Sequence, residues 1–217
     1  ADSDLIVAAD GVNSRIRDHF AAEFGPETQL MRNKFSWMGS TRPLSDFTYF
    51  FRKTPHGILT AHAYQYRPAG VDDGPISTWV METTPECWAG LGFDSLDEEG
   101  SARLLEQIFA EELEGHSLIT NRSLWRNFPK VSCRQWHAAG RIVLLGDAKA
   151  TAHWSIGSGT KLAMECAIAL SDAVVANRTD FAATAAAYEA ARRTPVEVTQ
   201  HNAGVSLAWF EHVARSW

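Results

Sequence analysis

Two short stretches of the chain are apolar at nearly every position. Residues 4–11 read Asp4-Leu5-Ile6-Val7-Ala8-Ala9-Asp10-Gly11, and residues 141–147 read Arg141-Ile142-Val143-Leu144-Leu145-Gly146-Asp147. A strand covered on both faces has this pattern, and such strands belong to parallel sheets flanked by helices. A helix is predicted after each, over 13–20 and over 158–175. Between them the rhythm changes to period two. Segments 47–51, 58–66 and 77–82 are rich in aromatic and β-branched residues and are divided by turn signals at 55–57 and 70–75. They predict an antiparallel sheet. In its second strand His62, Tyr64 and Tyr66 share one face, and Ala61 and Ala63 share the other. A further strand is predicted over 125–131. Ser95-Leu96-Asp97-Glu98 reads as a capping box opening a helix. The stripe of that helix is Leu104, Leu105, Ile108, Phe109 and Leu113, and Gly115 ends it. A last Ala-rich helix begins at Thr179 or Asp180 and should kink or break at Pro195.

The order of elements is parallel strand, antiparallel sheet, parallel strand with helices. It predicts a mixed α/β (α+β) architecture: one αβ domain formed by 1–33 and 133–217, interrupted by an inserted sheet domain over 34–132. A parallel strand needs a neighbour reached by a crossover, and nothing precedes the opening strand in these 217 residues. The chain is therefore expected to be part of a longer protein.

Composition narrows the function classes. Twenty Lys and Arg against 26 Asp and Glu leave a formal charge of −6, which argues against a nucleic-acid-binding surface. No apolar run approaches the roughly 18 residues of a membrane helix, and no signal peptide is expected. Cys87, Cys133 and Cys166 stand far apart, a usage that suits a reducing cytoplasm better than a disulfide framework. None of the eight histidines has metal-ligand spacing, so no metal site is expected.

Two motifs carry chemistry. In Asp10-Gly11-Val12-Asn13-Ser14-Arg15-Ile16-Arg17 a glycine permits a sharp turn at the carboxyl end of a buried strand. Open αβ sheets bind ligands at that edge, and Arg17 is suited to a phosphate. A capped strand-to-helix turn would have the same sequence. The second motif is more specific. Gly146-Asp147-Ala148 closes a strand, and His153-Trp154-Ser155-Ile156-Gly157-Ser158-Gly159-Thr160-Lys161 opens a helix. The carboxylate of Asp147 can accept hydrogen bonds from sugar-like hydroxyls. The free amides and positive dipole end of the helix suit developing negative charge on a bound ring.

Together these pieces resemble the FAD-dependent aromatic hydroxylases, the single-component flavoprotein monooxygenases. Within them the chain is most similar to the salicylyl-CoA 5-hydroxylase and 2-aminobenzoyl-CoA monooxygenase group. The similarity is carried by 32–39 (Arg-Asn-Lys-Phe-Ser-Trp-Met-Gly), 61–64, Gly115-His116, 121–128 and 155–161. Hydroxylases of tryptophan derivatives in the violacein pathway share much of it. The resemblance implies part of a Rossmann-like FAD domain carrying an inserted substrate domain. It also implies an N-terminal dinucleotide-binding segment that is missing here, and in bifunctional members a C-terminal reductase domain. Three positions depart from the family pattern. Gly-Asp-Ala-Ala-His becomes Gly146-Asp147-Ala148-Lys149-Ala150, and an Asp on the helix becomes Cys166. Lys149 is read as pairing with a phosphate or standing in solvent.

The resemblance also implies an activity. NADH or NADPH would reduce FAD, and O₂ would then hydroxylate an activated ring, carried as an aryl-CoA, through a flavin hydroperoxide. Asp147 would hold the ribityl chain, the amides near Gly157, Ser158, Gly159 and Thr160 would face the flavin pyrimidine, and Asp10 and Arg17 would lie towards the pyrophosphate; Gly11 and Gly146 belong to the same cofactor-binding set. His153, His62 and Tyr64 are the catalytic candidates on the substrate side. Trp79 is a further substrate-side candidate, though it reads more readily as core; His62 and Tyr64 are equally readable as a packed sheet face. Arg122 and Arg126 are candidates for CoA phosphates or for solvated salt bridges. A binding module without catalysis is the competing class. A P-loop enzyme is disfavoured because Gly157-Ser158-Gly159-Thr160-Lys161 lacks the required spacing. A serine hydrolase is disfavoured because Ser158 lacks the nucleophile-elbow pattern.

Overall fold

The computed structural model describes residues 3–68 and 74–216. The chain opens with β1 (Ile6–Ala8), then α1 (Arg15–His19) and α2 (Ala21–Phe24), which Gly25 ends at φ 54°. There follow β2 (Pro26–Ser40), β3 (Thr48–Thr54), β4 (Gly57–Arg67) and β5 (Ile76–Thr83). The turn expected at 70–75 lies mostly outside the described residues. Next come α3 (Pro85–Gly90), α4 (Glu98–Ile108), α5 (Ala110–Leu113), β6 (Leu118–Ile119), β7 (Arg126–Cys133), β8 (His137–Ala138) and β9 (Ile142–Leu144). Two long helices close the chain, α6 (Gly159–Asn177) and α7 (Phe181–Glu211). Among the described residues no helix is long and apolar enough to cross a membrane.

The chain divides into two compact units, Ala1–Met31 with Pro129–Trp209, and Arg32–Phe128 with Phe210–Trp217. In the first, the two wholly apolar runs pair as the parallel strands they resemble, with Ile6 opposite Ile142 and Ala8 opposite Leu144. β8 adds antiparallel on the far side of β9. Phe24, Trp136, Val143, Leu144, Leu162, Leu170 and Tyr188 form the core of this unit. The second unit is built on the antiparallel order β3-β4-β5-β2-β6, with β7 also paired to β2. Its core lies on the face carrying Ala61, Ala63, Trp79 and Met81, closed by Leu105, Phe109 and Leu113 of the α4–α5 segment.

Four local expectations change. The 15-residue β2 is the longest strand and went unpredicted, because its buried side includes polar residues. Ser36 Oγ donates to the Ser123 carbonyl (2.6 Å) and Ser40 Oγ to the Ser117 carbonyl (2.9 Å), so burial does not follow hydrophobicity there. The short helix α3 was also unpredicted. It starts by ordinary chemistry, with Thr84 Oγ1 accepting from the Cys87 amide at 3.3 Å and Pro85 in the first turn. The cap of α4 is Asp97 rather than Ser95: Asp97 Oδ1 accepts from the Gly100 amide at 2.7 Å, and Ser95 ends a preceding 3₁₀ turn. Glu98 does not close a box but accepts from the Ser123 amide at 2.9 Å. Finally, α7 runs unbroken through Pro195. Proline removes one helical donor, yet Tyr188, Val196, Ala203 and Leu207 are all buried along the same helix, and that packing holds its two halves in one run.

Candidate functional site

Both motifs lie in the first unit, at the carboxyl ends of paired parallel strands. The Leu145 amide donates to the Ala8 carbonyl at 2.9 Å, so the two turns leave the sheet side by side. After β1, the exposed Asp10 carboxylate turns towards its own helix. It accepts from Ser14 Oγ (2.5 Å) and from the amides of Arg15 (2.9 Å) and Ile16 (3.4 Å). Burial works to raise its pKa, but the hydrogen bond from Ser14 and those of the backbone amides outweigh it and hold the carboxyl below the usual range. Gly11 takes φ +83° with open space around it. Arg17 is buried: Nε meets Asp18 Oδ1 at 3.1 Å, and Nη1 donates to the Ala148 carbonyl at 3.3 Å. Its guanidinium therefore ties the Asp-Gly helix to the Gly-Asp turn instead of standing open to a phosphate.

After β9, Gly146 turns at φ +61° and Asp147 is exposed. Partial burial of its carboxyl raises its pKa. His153 is buried and caps the 3₁₀ turn Trp154–Ile156; its Nδ1 lies 2.9 Å from Ser155 Oγ, which in turn lies 2.8 Å from Ser206 Oγ. Gly157 follows at φ +62°, and α6 then starts without a side-chain cap. The amides of its first turn have no intrahelical acceptor, and the dipole of a 19-residue helix is positive there. Ser158 Oγ is buried with no hydrogen-bond partner among the described residues. A Cβ at Gly157 or Gly159 would meet nothing within 4 Å. An orphaned hydroxyl, free amides, open glycines and a carboxylate at one strand end suit a ligand that is both polyhydroxylated and electron-poor.

Lys149 corrects its expectation. It stands neither in solvent nor on a phosphate but inside the core, with Nζ 3.0 Å from Cys166 Sγ, 3.0 Å from Tyr188 Oη and 3.8 Å from the Trp136 ring centre. Burial lowers its pKa. The signal for this cluster was in the sequence, as departures at Lys149 and Cys166, but not their contact.

In the second unit His62 is fully buried, with Nε2 3.0 Å from Glu82 Oε2. Glu82 Oε1 accepts from Asn33 Nδ2 at 2.8 Å. Sequence reasoning missed Glu82 and Asn33, because only the strand register sets Thr60 opposite Glu82 and so carries Glu82 to the face of His62. Tyr49, Tyr64 and Phe47 extend that face as aromatic surface; Tyr64 stacks on Phe47 at 5.5 Å, and Tyr49 meets the His62 ring edge-on at 4.9 Å. Burial first, and then the Glu82 charge, raise the pKa of Tyr49. Trp79 belongs to the core face: it stacks on Phe50 at 5.2 Å and donates Nε1 to Ser77 Oγ at 3.0 Å. Arg122 and Arg126 are exposed.

The family model described as FAD binding domain matches residues 1–202. The chain belongs to the FAD-binding domain family. This FAD-binding-domain chain is 40% identical to a salicyloyl-CoA 5-hydroxylase from Streptomyces sp. over 99% of its length and 42% of that protein's. It is 40% identical to the 3-hydroxy-4-methyl-anthranilyl-[aryl-carrier protein] 5-monooxygenase of Streptosporangium sibiricum, over 96% of the chain and 54% of that protein. The protodeoxyviolaceinate monooxygenase of Chromobacterium violaceum is 34% identical over 98% of the chain and 55% of its own length. The chain thus spans about half the length of the curated relatives it matches. Its fold is shared with PqsL of Pseudomonas aeruginosa (TM-score 0.69, 21% identity, 96% of this chain and 56% of that one). It is shared equally with 2-methyl-3-hydroxypyridine-5-carboxylic acid oxygenase (TM-score 0.69, 17% identity, 96% and 54%).

Proposed function

We propose that the protein to which this FAD-binding-domain chain belongs is a monooxygenase that hydroxylates an aromatic ring activated by a hydroxyl or amino group, with O₂ as oxygen source and NADH or NADPH as reductant. The observation that carries the reading is 40% identity, across almost the whole chain, to two proteins named as a hydroxylase and a monooxygenase of such rings. Both names place the ring on a carrier, CoA or an aryl-carrier protein, so an aryl-CoA is the substrate class we assign. A reductase domain beyond the C-terminal end of this chain is the corresponding proposal for the reductant side.

The first unit is the FAD portion in this reading. Asp147 would hold ribityl hydroxyls, which its exposed carboxylate suits as an acceptor. The first amides of α6, with Gly157, Ser158, Gly159 and Thr160, would meet the polar edge of the ring system. Asp10 and Arg17 act through structure: one holds the start of α1, the other locks α1 to the Gly-Asp turn. When bound, FAD would supply the redox chemistry that activates O₂; the protein supplies position, charge and exclusion of water. The second unit is the substrate portion. His62, oriented by Glu82, is able to hold or pass a proton at its ring nitrogens, and Tyr64 offers an aromatic face. His153, through Ser155, sets the path of the chain into α6.

The test is NAD(P)H oxidation and product mass with the full-length protein and FAD, comparing salicyloyl-CoA, 2-aminobenzoyl-CoA and free salicylate. Substrate-dependent oxidation and a product heavier by one oxygen with an aryl-CoA are expected. Turnover of an indole-derived substrate alone would favour the violacein-type reading that the 34% relative supports. Absence of flavin binding with no turnover would overturn the proposal.

A further inference from the structure

Two of the positions at which this chain departs from the family pattern touch each other. Lys149 follows the Gly-Asp turn, Cys166 lies two turns into α6, and Lys149 Nζ stands 3.0 Å from Cys166 Sγ. Each residue is only 1% exposed. Its other neighbours include the Tyr188 phenol and the Trp136 ring. Tyr188 is itself fixed by donating to the Leu144 carbonyl at 3.2 Å. Burial is the largest influence on Lys149 and lowers its pKa; the contact with Cys166 opposes it, and Arg192 and Arg193 add to the lowering. The nitrogen lone pair is therefore more available than on a surface lysine. A cavity of about 10 Å³ lies between the turn and α6, lined by Asp147, Lys149, Gly159, Ala163 and Cys166. That is at the margin of what one water-sized molecule needs.

We propose that Lys149 and Cys166 are a redox modification site, at which hydrogen peroxide joins Nζ to Sγ through one oxygen and staples the Gly-Asp turn to α6. In the first step the sulfur attacks a peroxide oxygen and the O–O bond breaks. Cysteine becomes sulfenic acid, and the thiol proton leaves with the departing oxygen as water. In the second step one N–H and the sulfenic O–H break as the N–O bond forms. The two protons and two electrons released reduce a second peroxide to two waters. Sulfur and nitrogen are each oxidised by two electrons, and the sum is amine plus thiol plus two peroxides giving the N–O–S bridge and three waters. Thiol reductant reverses it. Geometry selects the oxygen-bridged product over a direct S–N bond. A bridging oxygen needs the pair to close by a few tenths of an ångström, whereas an S–N bond needs more than an ångström of movement in a packed core. The other two thiols are internal controls. Cys133 is pushed up to about 11 by burial, and Cys87 faces the Thr54 hydroxyl at 3.6 Å rather than an amine.

Peptide mapping of the folded protein, with and without hydrogen peroxide, tests the site. Trypsin should fail to cut after Lys149, and peptides 142–161 and 162–178 should appear joined. Their summed mass should rise by about 14 Da, one oxygen gained and two hydrogens lost. Dithiothreitol should separate them and restore the starting mass. Lys149→Arg and Cys166→Ser should each abolish the joined species. Should either variant not fold, the wild-type map decides alone. Cys166 that stays reduced, or that gains only unbridged oxygens, overturns the proposal. A joined pair lighter by about 2 Da, the direct S–N product, overturns the oxygen bridge.

Discussion

Asp147 and Asp10 are both aspartates at strand ends, yet their surroundings separate them. Asp10 is held by a hydroxyl and two amides of its own helix, so it shapes a turn. Asp147 is exposed, with a pKa raised by partial burial, so its carboxylate is available to a ligand. Replacing Asp147 by Ala in the full-length protein should weaken FAD binding by about tenfold or more, the worth of a hydrogen bond to a charged group. Flavin absorbance after gel filtration measures it, with circular dichroism as the control for folding; undiminished flavin content would remove Asp147 from the site. Cys133 carries a prediction in pH. Its pKa rises from 9.0 unfolded to about 11 folded. Between those values the unfolded chain has already lost the proton that the folded chain keeps. The contribution to stability is therefore full below pH 9 and is lost as pH climbs through about 11. Urea unfolding from pH 8 to 11 should show a steeper alkaline loss in the wild type than in Cys133→Ala. The difference in loss should reach about 2–3 kcal/mol at most; parallel curves would refute it.

At the scale of elements, local sequence rules held where side chains do what their chemistry prefers and failed where packing chose differently. The start of α4 is the sharpest case. Ser95 and Asp97 are both good caps by residue type, and only the structure shows the Gly100 amide donating to Asp97. Asp97→Ala should cost about 1 kcal/mol, while Ser95→Ala should change thermal unfolding little. Equal effects, read by calorimetry, would restore Ser95 as the cap. In β2 the buried serines bond to backbone carbonyls, so a strand of ordinary pairing hid behind an uninformative polarity pattern. In α7 the rule that proline breaks a helix gave way to burial on both sides of Pro195. These failures share a cause: propensity is worth about 1–3 kcal/mol per residue at most, and packing of large side chains outweighs it.

For the whole molecule, the division into two units separates the roles the proposal assigns. If FAD binds through the first unit, hydrogen exchange of the full-length protein should slow at 10–17 and 146–162 when FAD is added, and the strands β3, β4 and β5 should change little. Protection confined to the sheet unit would reverse the assignment. The amino-acid sequence alone determined the two parallel strands, the antiparallel sheet between them, the helices after each motif and the family. Each rests on local periodicity or on a short contiguous motif, which a chain displays without folding. Tertiary structure alone decided which candidate side chains remain available and which are held by the fold. Strand register carried Glu82 to His62, and the depth of burial sent Arg17 to the Ala148 carbonyl. Packing of α6 brought Lys149 against Cys166, 17 positions away. Partners so far apart along the chain meet only when hydrophobic burial fixes where each backbone runs, and no local pattern encodes that distance.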